Sequence, residues 1–279
     1  MELPELTVLS QQMTKELVGR RVVEVEVANP KCLNMPLNEF RNGLVGRAVE
    51  SVKNRGKWLL INLGAGTSSS SVFDLLLFNP GMGADVIRFG PDEGLQEKHH
   101  IKIGFDDRSG FTVRVWWFCY LHLVSSSKLK EHRFVGHLGK SPLDEEFTLP
   151  YFRALLEKRK GRIKNFLVDQ KNVAGIGNVY IQDILFNSKL HPTRRISTMN
   201  AKEIEALYHS MRSVLQESIA MGGLAYERNF FGDKGGFGAD QFKIAYKLGR
   251  SCPICQTPIE KIKTGATSSF ICPKCQKQP

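Results

Sequence analysis

Four cysteines near the C-terminus have the spacing of a metal site. Cys252 and Cys255 form one CxxC pair, Cys272 and Cys275 form a second, and 16 residues separate the pairs. Four thiolates at this spacing can close tetrahedrally around zinc and leave no coordination position open, so the ion would be structural. Two disulfides are the alternative, which an intracellular setting disfavours. We therefore expect one structural zinc ion.

The segment between the two pairs, PIEKIKTGATSSFI, is predicted to form a β-hairpin that turns at Thr264 and the glycine after it. Lys261 and Lys263 lie on this hairpin and could meet nucleic-acid phosphates; the alternative is that they are solvated strand residues. The other two cysteines, Cys32 and Cys119, have no comparable partners, and we expect them to be buried apolar residues.

The stretch MELPEL at the start of the sequence combines an amine with a carboxylate. An unprotonated α-amine can attack an electrophilic carbon, and a neighbouring carboxylate can move the protons that such a reaction requires. Met1 and Glu2 are therefore a candidate reactive pair.

A glycine-rich turn in the second half of the chain has the features of an anion site. The stretch KNVAGIGNVY (171–180) places Gly175 and Gly177 directly before a predicted helix that begins at Asn178. Backbone N–H groups at a helix N-terminus attract anions. Residues 151–195 hold ten Lys or Arg, Lys164 among them, against three acids, so a nucleic-acid phosphate is the expected anion.

Composition favours a nucleic-acid partner and excludes a membrane protein. The chain has 279 residues, a net charge of +11 and 42% apolar residues. An excess of basic over acidic residues of this size suggests a polyanionic partner. The sequence has neither a run of 18 apolar residues nor a basic segment followed by an apolar one at its start. We expect a cytoplasmic, monomeric protein with no membrane contact.

The elements that position these residues fall into two kinds. Leu6, Leu9, Met13 and Leu17 predict one helix face, and strand-like runs then follow without intervening helices, which favours an antiparallel sandwich or barrel. The predicted strands are 21–27, 58–63, 71–78, 99–105 and 111–118, and residues 68–71 are predicted to be a hairpin loop. From Thr148 the pattern is helical, with predicted helices near 150–155, at 163–168, at 178–187 and at 200–221. We predict an α+β protein with domains at 1–130, 131–245 and 246–279.

Together these motifs resemble the formamidopyrimidine-DNA glycosylase and endonuclease VIII family over nearly the whole chain. Glu2–Glu5 is similar to that family's N-terminal PELPE, and HLGKSPL (137–143) is similar to its HLGPEPL linker. Lys57 in NRGKWLL and Met82 in PGMG match a β-domain lysine and a methionine that fills the gap left by an everted nucleotide. DQKNVAGIGNVYIQDILF resembles the family's helix–two-turns–helix, with Asn178 as its phosphate-binding asparagine, and the CxxC pairs resemble its zinc finger.

The resemblance implies an N-terminal antiparallel β-sandwich, a C-terminal helical domain and a zinc-finger hairpin. It also implies base-excision chemistry on DNA: an N-terminal amine attacks the sugar C1′, displaces a damaged base, forms a Schiff base and then cuts the strand. Met1, Glu2 and Lys57 would be catalytic. The nucleic-acid contacts would come from Lys57, Met82, Lys164, Asn178, Lys261 and Lys263.

The sequence departs from the family pattern at three places. No proline lies between Met1 and Glu2, so the nucleophile would be a primary amine. Thr267 stands where the family's zinc hairpin has an arginine that clamps phosphates, and no arginine lies anywhere between the two CxxC pairs. The stretch WFCYLHL (117–123) replaces the family's DPRRF loop and lacks its arginine; Tyr120 or Leu121 could act as the wedge, or both could be core strand residues.

These departures leave three hypotheses open. The chain is a DNA glycosylase or abasic-site lyase, or a catalytically silent relative that recognises distorted DNA or structured RNA, or a protein whose zinc and charge serve a protein assembly. A terminal amine beside a carboxylate favours the first. Without the arginine clamps, we expect damaged, abasic or single-stranded DNA to be preferred over intact duplex.

Overall fold

The computed structural model describes residues 1–66 and 72–278 and divides the chain into two compact units. The first unit comprises Met1, 3–137 and 221–236, and the second comprises Glu2, 138–220 and the chain from 237 onward. The first unit is a β-sandwich with an N-terminal helix, and the second is helical and ends in a β-hairpin. The predicted α+β class is confirmed.

Helix α1 (Leu3–Leu17) supplies one side of the core of the first unit. Its apolar residues recur every three or four positions, and Leu6, Leu9, Met13 and Leu17 are all at most 2% exposed, as the sequence predicts. Gly19, with a φ of 88°, follows the helix in a conformation that glycine adopts without strain.

Among the described residues, eight strands form the two sheets of the sandwich, and every pairing between these strands is antiparallel. In chain order the elements are β1 (Val22–Val27), α2 (Leu37–Leu44), β2 (Val49–Arg55), β3 (Trp58–Leu63), β4 (Leu75–Asn79), β5 (Asp85–Phe89), β6 (Ile101–Phe105), β7 (Gly110–Arg114) and β8 (Tyr120–Val124). One sheet has the order β1-β6-β7-β5 and the other the order β2-β3-β4-β8. Apolar side chains from both sheets and from α1 share one core.

Two strand predictions for this unit need correction, and a third prediction is untested. The strand predicted at 111–118 ends at Arg114, because three large aromatic residues in a row cannot all face the core of a pleated strand. The strand predicted at 71–78 begins at Leu75. The hairpin loop predicted at 68–71 lies outside the described residues.

In the described part of the second unit the main elements are four α-helices and the hairpin. These are α3 (Leu149–Leu156), α4 (Ile163–Val168), α5 (Tyr180–Asn187), α6 (Ala201–Ala220), β9 (Glu260–Thr264) and β10 (Thr267–Ile271). Thr148 caps α3 as predicted, since its hydroxyl accepts from the backbone N–H of Tyr151 at 3.3 Å. Helix α5 is central: Tyr180 is fully buried and its hydroxyl lies 2.6 Å from the hydroxyl of Ser218 on α6.

The helices that the structure describes include none that is both long enough and apolar enough to cross a bilayer.

Candidate active site and nucleic-acid interface

The four C-terminal cysteines come together in the geometry of a zinc site. Their Sγ atoms all lie within 4.8 Å of one another, and the separations for Cys252–Cys275 and Cys255–Cys272 are 3.8 and 3.4 Å. A tetrahedron with Zn–S bonds of about 2.3 Å has edges of roughly 3.8 Å, so the four thiolates fit one ion. The N–H of Ile254 donates to the Sγ of Cys252 at 3.4 Å, which orients that ligand. The site holds one structural zinc.

The hairpin that joins the two cysteine pairs is held by a buried lysine. Lys164 on α4 is 1% exposed, and its Nζ lies 2.9–3.0 Å from the hydroxyls of Thr264, Thr267 and Ser269 and from the carbonyl of Ser268. The three N–H groups of the ammonium are shared among these four acceptors. Burial lowers the pKa of this lysine to about 8. The ammonium of Lys164 therefore stabilises the hairpin, and its burial keeps it out of reach of a nucleic-acid phosphate.

The two other hairpin lysines are placed differently. Lys261 and Lys263 on β9 are exposed, and the Nζ of Lys261 lies 5.9 Å from the centre of the Phe270 ring. Both are exposed strand residues, and their contact with phosphates stays a prediction.

Glu2 occupies the glycine-rich turn that was predicted to bind a phosphate. Its carboxylate accepts from the backbone N–H of Gly177 at 2.6 Å and from that of Val179 at 3.0 Å. The N–H of Gly175 donates to the side-chain oxygen of Gln170 at 2.8 Å. The anion at these amides is therefore the protein's own carboxylate, which corrects the prediction. Glu2 is 7% exposed, and the two bonds fix its orientation.

Asn178, at the same turn, is half-buried and precedes α5 by two residues. Its side-chain oxygen and its carbonyl both accept from Nε2 of Gln182, at 3.3 and 2.8 Å. Gln182 in turn accepts from the N–H of Phe270 at 3.0 Å. The turn, α5 and β10 are thus linked by one amide side chain.

The amine of Met1 lies in a polar cradle within the first unit. It donates to the carbonyl of Gly81 at 3.3 Å and pairs with a carboxylate oxygen of Glu227, also at 3.3 Å. Met1 is 8% exposed as a whole residue, and its side chain is fully buried in the sandwich core. Glu227, only 10% exposed in its side chain, is a residue that sequence reasoning did not single out, since its position in a loop carries no spacing signal.

The loop that carries Met82 packs against an exposed aromatic segment. Met82 is 57% exposed and lies between Gly81 and Gly83. A Cβ on Gly81 would lie 1.7 Å from the carbonyl oxygen of Phe118, and one on Gly83 would lie 3.1 Å from the Trp116 ring, so only glycine allows this approach. Lys57, half-buried, follows Gly56 in the turn between β2 and β3.

Sequence reasoning missed a run of three consecutive exposed aromatic residues. Trp116, Trp117 and Phe118, which we name the aromatic ledge, are 55%, 78% and 45% exposed. The wedge candidates named from the sequence lie elsewhere: Leu121 is 1% exposed in the core, and Tyr120 packs against Phe118 with ring centres 5.9 Å apart. The signal in the sequence that could have revealed these residues is the run WWF, which directly follows an alternating strand pattern.

Three family models match the chain in the order of the structural parts just described. The formamidopyrimidine-DNA glycosylase N-terminal domain matches residues 1–115, the formamidopyrimidine-DNA glycosylase H2TH domain matches 138–229, and a zinc finger found in FPG and IleRS matches 251–278. A β-sandwich, a helix–two-turns–helix unit and a zinc hairpin in this order define a protein of the DNA-glycosylase class.

Individual relatives agree over the full length. The formamidopyrimidine-DNA glycosylase of Streptococcus pneumoniae is 31% identical and that of Pelotomaculum thermopropionicum 33% identical, each with 99% of both chains covered. The Lactococcus lactis Fpg, solved in complex with abasic-site DNA, is similar with a TM-score of 0.89 and 25% identity over 100% of both chains. This chain belongs to the formamidopyrimidine-DNA glycosylase family.

Proposed function

We propose that this chain is a DNA glycosylase with abasic-site lyase activity and that the amine of Met1 is its nucleophile. The observation that carries the proposal is the cradle of that amine, 3.3 Å from both the Gly81 carbonyl and the Glu227 carboxylate. The terminal amine is held by two oxygens, and the side chain of the same residue is buried. The direction from which the amine can attack is therefore fixed. The Lactococcus lactis relative, which binds abasic-site DNA, supports the substrate class.

The reaction would proceed through a covalent intermediate. The amine attacks C1′ of the target sugar, the base leaves with the electrons of its glycosidic bond, and the opened sugar forms an imine with Met1. Loss of a proton from C2′ then breaks the bond to the 3′ phosphate and cuts the strand. Glu227 is positioned to accept the proton that the amine must lose. Glu2, its carboxylate held by two backbone amides, would handle protons at the sugar.

DNA contacts would come from exposed or half-exposed groups of both units. We assign this role to Lys57, Met82, Asn178, Lys261 and Lys263, and we leave out Lys164 because its ammonium is buried in the hairpin. At the place where the family's DPRRF loop has an arginine, this chain has the aromatic ledge, whose exposed rings can stack on bases. Stacking without a cationic clamp favours DNA whose bases are already unpaired. We therefore propose that abasic, damaged or single-stranded DNA is preferred.

The test is borohydride trapping on DNA with one abasic site, in single-stranded and duplex form. Borohydride reduces a transient imine to a permanent bond between protein and DNA, and peptide mapping locates it. Glu2→Gln serves as the acid–base variant, and intact mass establishes which residue carries the free amine. We expect a cross-link at Met1, faster with the single strand, and a loss of strand cleavage in Glu2→Gln.

The possible outcomes separate the hypotheses. A cross-link at an internal lysine, Lys57 above all, would overturn the role of Met1. Absence of any cross-link, with salt-sensitive DNA binding intact, would favour the catalytically silent relative. Faster cutting of intact lesion-bearing duplex would refute the strand preference. We also infer that the protein acts as a monomer inside the cell, where its DNA partner is; sedimentation with and without DNA tests the first part.

A further inference from the structure

A cleft of the first unit lies between the aromatic ledge and the turn that follows β1. Its volume is about 480 Å³, within the range of about 300–1,000 Å³ that small-molecule sites occupy. All three residues of the ledge line it on one segment of chain, and Asn29, Lys31 and His100 supply polar groups from two other segments. A cleft of this kind suits a ligand that combines a flat ring with a polar group.

Backbone contacts hold these segments together. The N–H of Ala28 donates to the carbonyl of His100 at 2.8 Å, and the N–H of Val115 donates to Nδ1 of the same histidine at 3.0 Å. Beyond the turn, Leu33 forms a parallel β-bridge with Leu121. The cleft is therefore formed before a ligand arrives, and little ordering of the chain has to accompany binding.

The aromatic side of the cleft offers rings that are both held and exposed. The guanidinium of Arg114 lies over the Trp116 ring, 4.1 Å from its centroid, and the backbone at Gly83 packs against the same ring. Trp116 is nevertheless 55% exposed, and Trp117 is 78% exposed. A nucleic-acid base that stacks on such a ring typically gains about 5- to 150-fold in affinity.

The polar side of the cleft consists of hydrogen-bond donors. Lys31 is exposed, and its ammonium can only donate. Nδ1 of His100 accepts from a backbone N–H, so the neutral ring carries its proton on Nε2 and can donate it. Oδ1 of Asn29 accepts from the N–H of Lys31 at 3.2 Å, which leaves the amide N–H groups of Asn29 for a ligand. None of the described residues that line the cleft is Asp or Glu, so the matching group is an anionic acceptor such as phosphate.

We propose that this cleft binds one unpaired nucleotide of a single DNA strand. The base stacks on the ledge, and the phosphate of the same nucleotide accepts hydrogen bonds from Lys31 and His100. The inference rests on the DNA binding of the proposed function and does not depend on the Met1 amine. It gives the preference for unpaired DNA a specific site, because a base that is paired and stacked in a duplex cannot enter the cleft.

The experiment measures binding of two labelled strands to the full zinc-loaded protein by fluorescence anisotropy. One strand is an undamaged oligothymidylate, and the other has the same length but is built from tetrahydrofuran residues, which carry no bases. Trp116→Ala should weaken binding of the first strand about fivefold or more and leave binding of the second unchanged, and Trp116→Phe, which keeps a ring, should lose less. These two variants separate stacking from a general disturbance of the loop.

The phosphate contact is tested with the same two strands over a series of salt concentrations. Lys31→Ala should weaken both strands and reduce the slope of log K against log salt by about 0.7, the value for one phosphate contact on a single strand. Lys53→Ala removes an exposed charge from β2 and is the matched control, with no change expected. A strand in which 5-iodouracil replaces one thymine then locates the base, because irradiation joins it to a stacked ring; peptide mapping should find the bond on Trp116 or Trp117.

Each outcome supports or overturns the proposal. A cross-link on the ledge whose yield falls in Lys31→Ala supports it. A cross-link elsewhere, or equal effects of Lys31→Ala and Lys53→Ala, overturns it, and an equal loss of both strands in Trp116→Ala overturns the stacking. Displacement of the strand by equimolar thymidine 5′-monophosphate would mean that the cleft serves free nucleotides and would overturn the assignment to a strand. Neither strand contains an abasic aldehyde, so failure of borohydride trapping bears on the nucleophile alone.

Discussion

A pair of histidines in the sandwich should make the stability of the first unit depend on pH. The Nδ1 of His122 lies 2.9 Å from the Nε2 of His132, within a cluster of rings that includes Trp58, Tyr120 and Phe134. The Nδ1 of His132 already accepts from a backbone N–H, that of Val135, at 3.1 Å. The neutral His132 therefore carries its proton on Nε2 and donates it to His122. Protonating either ring breaks one of these bonds.

The pKa values agree with this geometry and give the direction in which the stability changes with pH. Burial and the charge of His132 lower the pKa of His122 to about 4, and burial lowers the pKa of His132. The unfolded chain, with a histidine pKa of about 6.5, binds protons that the folded chain does not. The stability that neutral His122 contributes is fully present above pH of about 6.5 and is lost as the pH falls towards about 4.

The magnitude follows from proton counting. Near pH 5 the unfolded ring holds about 0.9 proton more than the folded ring, which gives a slope of roughly 1.2 kcal/mol per pH unit. The shift integrates to about 3 kcal/mol at most, and because the His122 ring is only half-buried we expect roughly 1–2 kcal/mol.

The assay is urea unfolding between pH 4.5 and 7.5, followed by the fluorescence of buried Trp58 and its neighbours. His122→Phe keeps a ring in the cluster and removes the titrating group, so its stability should vary less with pH than that of wild type. Leu9→Ala, in the core but with no ring in this cluster, is the control: it should lower the free energy of unfolding at every pH and leave the slope unchanged. An unchanged slope in His122→Phe would refute the reasoning.

Three further predictions concern DNA binding, the hairpin and the metal. Trp117→Ala should weaken binding of a single-stranded oligonucleotide by about 1–3 kcal/mol and leave binding of a base-free backbone of equal length unchanged, as fluorescence anisotropy can show. Val23→Ala, at another exposed apolar position of the first unit, is the control. Lys164→Ala should cost about 2 kcal/mol or more in urea unfolding, because it leaves buried hydroxyls without their donor; no loss would mean that water replaces the ammonium. Zinc analysis should find one ion per chain, and Cys272→Ser should lower both the zinc content and the melting temperature; full occupancy in that variant would contradict the four-thiolate site.

The sequence was most informative where one local pattern determines the structure. The 3.6-residue period of α1 and the paired CxxC spacing each depend on residues close in the chain, and both predictions are confirmed. Strands β2 and β5 were missed because VESVKNR and DVIRF are mixed in polarity, and their pairing partners, not their own composition, make them strands.

The site was harder to predict because its key contacts join distant positions. Glu2 and Gly177 are 175 residues apart, and Met1 meets Glu227 across an even longer stretch of chain. The turn at 175–179 has the chemistry of an anion site in the sequence, but the sequence cannot tell which anion fills it. Cys32 and Cys119 were both expected to be buried apolar residues; Cys119 is buried, whereas Cys32 is half-buried.

The contacts of Lys164 with the zinc hairpin also limit which substitutions the hairpin can accept over evolutionary time. Thr267, where the family resemblance expects an arginine, accepts a hydrogen bond from the Lys164 ammonium at 3.0 Å. An arginine there would remove an acceptor of the Lys164 ammonium and bring a second positive charge near the first. Thr267→Arg should therefore be disfavoured, and Lys164→Met should not rescue it, because that change leaves the buried Thr264 and Ser269 hydroxyls without their donor. The lysine that holds the hairpin therefore limits the return of an arginine at position 267.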